Sequence, residues 1–195
     1  YLTKPVHPVE LVAHIKALLT RRVSHQTGKV IQKNQGFTIG VMGAKGGLGI
    51  STTALNLGIA LREKSDLGVV CVELSPGNGI WGLELGLADT KGLENILLSK
   101  PGDITIELIE KNLVNTLFGV RLLLSSSLFS QVQMTENLKK VGLLLDGLTK
   151  ISKVIILDLG VPNEEYLNEV IDKCDQVIVV TESYPISVER TKHIL

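Results

Sequence analysis

The sequence predicts a doubly wound α/β fold: a mainly parallel sheet with helices on both faces. Three observations carry that prediction. Short runs that are apolar throughout alternate with longer segments of helical periodicity, and strands apolar on both faces belong in a parallel sheet covered on both sides. A turn holding four glycines in seven residues, Gly43, Gly46, Gly47 and Gly49, joins the first such run to the first helical segment. A later run, Val154-Ile155-Ile156-Leu157, closes on an acid, Asp158, and ligands of such sheets bind outside the carboxyl ends of the strands.

The elements follow in order along 195 residues, of which 44% are hydrophobic, enough for a buried core. Pro5 and Pro8 bracket a turn, after which Val9, Leu11, Val12, Ile15, Leu18 and Leu19 recur at helical spacing. That helix ends in Arg21 and Arg22, cations suited to the negative end of its dipole. The polar residues 23–36 lack sustained periodicity and are expected to be a linker. Beyond it, residues 37–42 are predicted as a strand, 51–64 as a helix with Leu55, Leu57, Ile59 and Leu61 on its apolar side, and 69–74 as a strand. The stretch 82–115 reads as mostly helical. Residues 120–124 are predicted as a strand, 130–150 as a helix, 154–157 as a strand, 164–173 as a helix and 177–180 as a strand, with a further helix entered at Ser183. This makes five strands. Sheets of this class commonly have more, so the domain at 37–195 is expected to be incomplete at its carboxyl end, and Tyr1 in place of Met suggests a piece of a longer protein.

Composition narrows the function. Lys plus Arg (20) balance Asp plus Glu (20), against the strong positive charge of a protein built to coat nucleic acid, and Arg21-Arg22 and Lys139-Lys140 are isolated pairs. No apolar run approaches the roughly 20 residues of a membrane span, and no signal peptide opens the chain, so a cytoplasmic location is expected. Cys71 and Cys174 fall in apolar runs that read as strands, with no CxxC or Cys/His spacing, and are expected to be reduced core residues. His7, His14, His25 and His193 share no spacing with acids or cysteines. Trp81 and Phe129 read as core or interface packing.

The chemistry concentrates in the glycine turn. Without Cβ atoms, a chain between a buried strand and a helix can turn its N–H groups toward phosphate oxygens; the plainer alternative is a turn that merely lets strand and helix pack closely. Ser51, with Thr52 beside it, stands where the hydroxyl of a phosphate-binding loop ligates Mg2+. Asp158, at the end of its apolar strand, is the acid expected to complete that magnesium site, or else a cap for the following turn.

The segment Lys45 to Thr52, KGGLGIST, resembles the deviant Walker A loop of the MinD/ParA superfamily, whose usual form is KGGxGK[ST]T. The resemblance implies a P-loop NTPase-like fold and ATP with Mg2+ as ligands. It assigns nucleotide contacts to Gly43, Lys45, Gly46, Gly47, Leu48, Gly49, Ile50, Ser51, Thr52 and Gly160, magnesium to Ser51 and Asp158, and catalytic roles to Lys45 and Asp158. It further implies a homodimer in which Lys45 reaches the partner's phosphates. Two departures weaken the implied hydrolysis. Ile50 replaces the second lysine of the loop, removing the charge that offsets the triphosphate. At the end of the second strand the family shows D-x-D, whose second acid helps position the attacking water; here the segment is Glu73-Leu74-Ser75, with Ser75 in that place. Glu73 is left with two alternatives, a part near Mg2+ or a helix-capping, loop-bonding role. Gly160 and Pro162 resemble the family's switch II turn. The asparagine-bearing adenine pocket of the family falls beyond Leu195.

Residues 1–22, with the Lys4-Pro5 pair and a final helix, resemble the end of a response-regulator receiver domain. The two resemblances in this order are those of the CpaE/TadZ proteins of pilus assembly. They imply an ATP-binding dimerisation switch, with weak or no hydrolysis, acting with pilus or secretion assembly proteins. The alternatives are an active ParA/MinD-type ATPase for intracellular positioning and a nucleotide-free scaffold. Membrane association is undetermined, which leaves recruitment to the inner face of the membrane or to a cell pole open.

Overall fold

The structure, a computed structural model, describes residues 36–88, 90–128, 132, 135–161 and 164–193. The receiver-like segment, the linker up to residue 35, Phe129 and Pro162 lie outside the described residues.

Six strands form one sheet. β1 (Phe37–Gly43), β2 (Val69–Glu73), β4 (Arg121–Leu123), β5 (Val154–Gly160) and β6 (Gln176–Val180) run parallel, and the short β3 (Val114–Asn115) pairs antiparallel with β4. Their spatial order is β3-β4-β2-β5-β1-β6. β5 is therefore the central rail: Val41 of β1 and Glu73 of β2 both stand level with Asp158. Between them lie α1 (Ile50–Lys64), α2 (Trp81–Glu84), α3 (Gly92–Leu98), α4 (Ile106–Lys111), α5 (Leu138–Ile151) and α6 (Glu164–Ile171), and α7 (Pro185–His193) follows β6. Among the described residues no helix is long and apolar enough to cross a membrane.

The period-2 alternation of the strands divides their side chains between two cores. Ile39, Val41, Cys71 and Ile156 pack with Ala54, Leu57 and Leu61 of α1 on one face. Met42, Val70, Val72, Ile155 and Leu157 pack with α3 and α5 on the other. α5 earns its place by the spacing of Val141, Leu144, Leu145 and Leu148, all buried, each worth about 1.5–3 kcal/mol on leaving water. Burial on both faces is why β1, β2 and β5 are mostly apolar, with Thr38, Glu73 and Asp158 as their buried polar residues.

Three sequence expectations are corrected. β3 was hidden inside a stretch read as helical; it is two residues long, and a turn closed by Gly119, whose N–H donates to the Thr116 carbonyl at 3.1 Å, brings it beside β4. The helix expected from residue 130 starts at Leu138, after a 3-10 turn at Thr135–Asn137. Cys174 sits in the turn before β6 rather than in a strand, its Sγ donating to the Val170 carbonyl at 3.3 Å. Both cysteines are free thiols, and burial pushes each up to about 12, which leaves them unreactive.

Candidate functional site

The carboxyl ends of β1, β2 and β5 meet at one edge of the sheet, and the glycine loop lies across that edge. β1 ends at Gly43, where a Cβ would stand 2.9 Å from the Val180 carbonyl oxygen and 2.8 Å from Cδ1 of Ile50, so no larger residue fits without displacement. Gly47 (φ 77°) and Gly49 (φ 75°) take the left-handed conformation that only glycine adopts without strain. Gly49 is also the N-cap of α1, and no side chain caps that helix. Its first-turn N–H groups carry the positive end of the helix dipole. Open space surrounds Gly46, Gly47 and Gly49, as a phosphate cradle requires.

The remaining residues of the motif take distinct places. Ile50 opens α1, only 6% exposed, with its side chain packed back on Gly43. Leu48 packs partly buried against the α1 core and Thr52 is exposed. Lys45 does not lie over the cradle: its ammonium pairs with Glu182, just after β6.

Ser51 and Asp158 come together. The Ser51 hydroxyl is hydrogen-bonded to the Asp158 carboxylate, and the Gly160 N–H donates to Asp158 Oδ1 at 3.0 Å. Burial raises the Asp158 carboxyl above the ordinary carboxylate range, and those two hydrogen bonds pull it back down. A buried carboxylate next to a hydroxyl is the donor set a small divalent cation would neutralise, and Mg2+ commonly takes only one or two protein groups besides phosphates and water. The residues present fit that ion. Among the described residues no group of three or more His, Cys, Asp or Glu side chains could hold a metal without such additional ligands.

Glu73, level with Asp158 on the neighbouring strand, has the loop-bonding role of its two alternatives. Its Oε1 accepts from the N–H of Ile80 at 2.7 Å and of Trp81 at 2.8 Å, and its Oε2 accepts from Ser125 N–H at 3.0 Å. It therefore caps α2 and ties the β2 and β4 loops together. Burial raises its carboxyl; the three backbone donors lower it, and the Asp158 charge raises it further. Glu94 reinforces the same junction, its Oε1 accepting from Gly77 N–H at 3.2 Å, Ser125 Oγ at 2.9 Å and Ser126 N–H at 3.0 Å. The sequence offered no signal for Glu94, which reads as an ordinary first-turn acid of a helix.

These loops enclose a cavity of about 760 Å3, lined by Gly46, Gly47, Gly49, Ile50, Ser51, Thr52, Leu74, Ser75, Pro76, Asn78, Ile80, Val132, Leu159, Gly160 and Val161. One wall is the glycine cradle and the Ser51 end of α1. The facing wall is largely apolar, and among the described lining residues none carries a charge.

Solved structures share this architecture. A ParA-family ATPase from Chlorobium tepidum TLS superposes with a TM-score of 0.65 at 21% identity, over 79% of this chain and 64% of that one. The fold is that of the ParA and MinD ATPases. The septum site-determining protein MinD of Pyrococcus horikoshii OT3, complexed with Mg-ADP, gives 0.60 at 21% identity over 82% of this chain and 63% of that one. Cobyrinic acid a,c-diamide synthase of Mycobacterium smegmatis, with bound ATP analogue and magnesium, gives 0.62 at 22% over 82% and 67%. The chain thus spans slightly under two thirds of the length of the ParA-family and MinD structures. No protein-family model matches the sequence, and no curated protein does.

Proposed function

We propose that this chain is an ATP-dependent dimerisation switch with weak or no hydrolysis, acting in the localisation or assembly of a pilus or secretion system and coupled to a receiver-like segment at residues 1–22. The observation that carries the reading is the composition of the cavity. It combines an open glycine cradle with Ser51, whose hydroxyl meets the carboxylate of Asp158 just outside the lining, so it suits a magnesium nucleotide, yet no lysine or arginine stands among its described lining residues. Bound Mg2+ would screen the phosphate charge. The chain's own contribution is to present N–H groups from Gly46 to Ser51 to the phosphates and to hold the Ser51 hydroxyl and Asp158 carboxylate toward the ion. Binding then lacks two aids to turnover. Ile50 supplies no cation to the transferring phosphoryl group, and Ser75 supplies no acid to orient water.

Lys45 is the residue proposed to cross to a partner's phosphates, leaving Glu182 when it does so. Light scattering is expected to show the molecular mass doubling when a non-hydrolysable ATP analogue and Mg2+ are added, and Lys45→Ala to stay monomeric while still binding the analogue. A native chain that keeps one mass in every nucleotide state would remove the switch. The shared fold with ParA and MinD favours one second reading, a working ATPase that positions cargo inside the cell, for which vigorous phosphate release is the distinguishing result.

A further inference from the structure

We infer that Trp81 is a positioning residue for Ser51, and that through Glu73 it joins the loop walling the cavity to the helix that starts beneath the glycine cradle; the inference rests on the magnesium-nucleotide reading of that cavity. Trp81 opens α2, is completely buried and donates its indole N–H to the Ser51 carbonyl at 3.2 Å. Its own backbone N–H donates to Glu73 Oε1 at 2.8 Å, while Glu73 Oε2 holds Ser125 on the far side. Ser51 in turn bonds Asp158 through its hydroxyl. One side chain thus spans from the capped start of α2 to the first turn of α1.

The geometry separates this role from packing alone. A buried aromatic ring in this place needs no polar partner to fill the core, but an indole N–H does, and here the partner is the backbone of the residue whose hydroxyl faces the ion. Ile80, whose N–H shares Glu73 Oε1, lines the cavity itself. A ligand that shifts the wall at Ile80 therefore pulls on the same carboxylate that fixes Trp81. Fixing the Ser51 backbone matters most when its hydroxyl must meet an ion with strict octahedral demands, and least when phosphates bind glycine N–H groups without the ion.

Trp81→Phe keeps an aromatic side chain, smaller than the indole, and deletes the donor. Titration with fluorescent-labelled ATP, in EDTA and in Mg2+, is expected to show a Mg2+-dependent gain reduced by about three- to tenfold, the scale of one lost hydrogen bond, beyond any loss seen in EDTA. Because Trp81 is the sole tryptophan of the chain, its emission in the native protein is expected to change when Mg2+ is added to the ATP complex. Glu73→Gln, which leaves the tryptophan in place and puts an amide donor against backbone N–H groups, is expected to reduce both the emission change and the Mg2+ gain. A folded Trp81→Phe or Glu73→Gln chain with the native Mg2+ gain, or a silent Trp81 in the native complex, would overturn the inference while leaving nucleotide binding intact. A native chain that binds no labelled ATP in either condition would instead overturn the reading beneath it.

Discussion

Asp158→Asn is expected to cost ATP at least about tenfold in its Mg2+-dependent affinity while raising the melting temperature of the ligand-free protein at neutral pH. Both effects come from one carboxylate. The asparagine keeps an oxygen for the Gly160 N–H but brings no charge to the ion, and it removes a charge from a site where the carboxylate is only 3% exposed. The pH dependence has a definite sign. Burial raises the folded-state pKa of Asp158, and that of Glu73, above the unfolded value. Between those two pKa values the folded chain binds more protons than the unfolded one, so this contribution to stability falls as pH rises through the window and its full cost stands above it. Melts in EDTA across the acid to neutral range are therefore expected to show a shallower fall toward neutrality for Asp158→Asn than for the native chain. A variant less stable than native at neutral pH, with the same pH slope, would mean that the carboxylate is paid for within the apo structure and awaits no cation.

Ile50→Lys is expected to lower the stability of the ligand-free chain and tighten ATP binding. Ile50 lies in the core beneath the loop against Gly43. Withdrawing it forfeits about 1.5–3 kcal/mol of apolar burial, and a lysine cannot stay there charged without a large penalty. Its stem can follow the Ile50 backbone only by carrying the ammonium into the cavity that Ile50 already borders. There it would face the phosphates, and ATP affinity is expected to rise by about tenfold or more. Urea unfolding and ATP titration of the same sample check the two halves. Loss of stability with unchanged ATP affinity would favour the positioning-ATPase reading, in which Lys45 and main-chain donors already supply what Ile50 lacks.

The parts of the fold legible in the sequence were those in which physics leaves few residue types. β1, β2 and β5 are buried on both faces and so appear as mainly apolar runs, broken only at Thr38, Glu73 and Asp158. The glycine loop was legible for a similar reason, since positive φ at Gly47 and Gly49 and the crowding at Gly43 exclude other residues. Asp158 stood out as an acid terminating such a run. β3 did not, because two residues at an antiparallel edge carry no period. The start of α5 is not marked in the sequence, because residues 130–137 contain neither glycine nor proline to set them apart from the helix. At the site, the sequence left Glu73 between two roles, and only its three backbone donors decide for loop bonding. Glu94 meets Gly77, Glu182 meets Lys45 and the indole of Trp81 meets Ser51, partners 17 or more residues away across loops no pattern encodes; their residue types are unremarkable for a helix turn, a strand end and a core. The Lys45–Glu182 pair belongs to the same class, a long-range contact that the loop motif alone does not foretell.

Calorimetric titration of the chain with ATP and Mg2+, run beside a phosphate-release assay on the same preparation, tests the central claim most directly. The expected result is saturable binding that weakens in EDTA, with phosphate released far more slowly than the ~1 s−1 at the slow end of typical enzymes. Turnover at that rate or above, or the absence of any binding heat and of any displacement of labelled ATP, would contradict it.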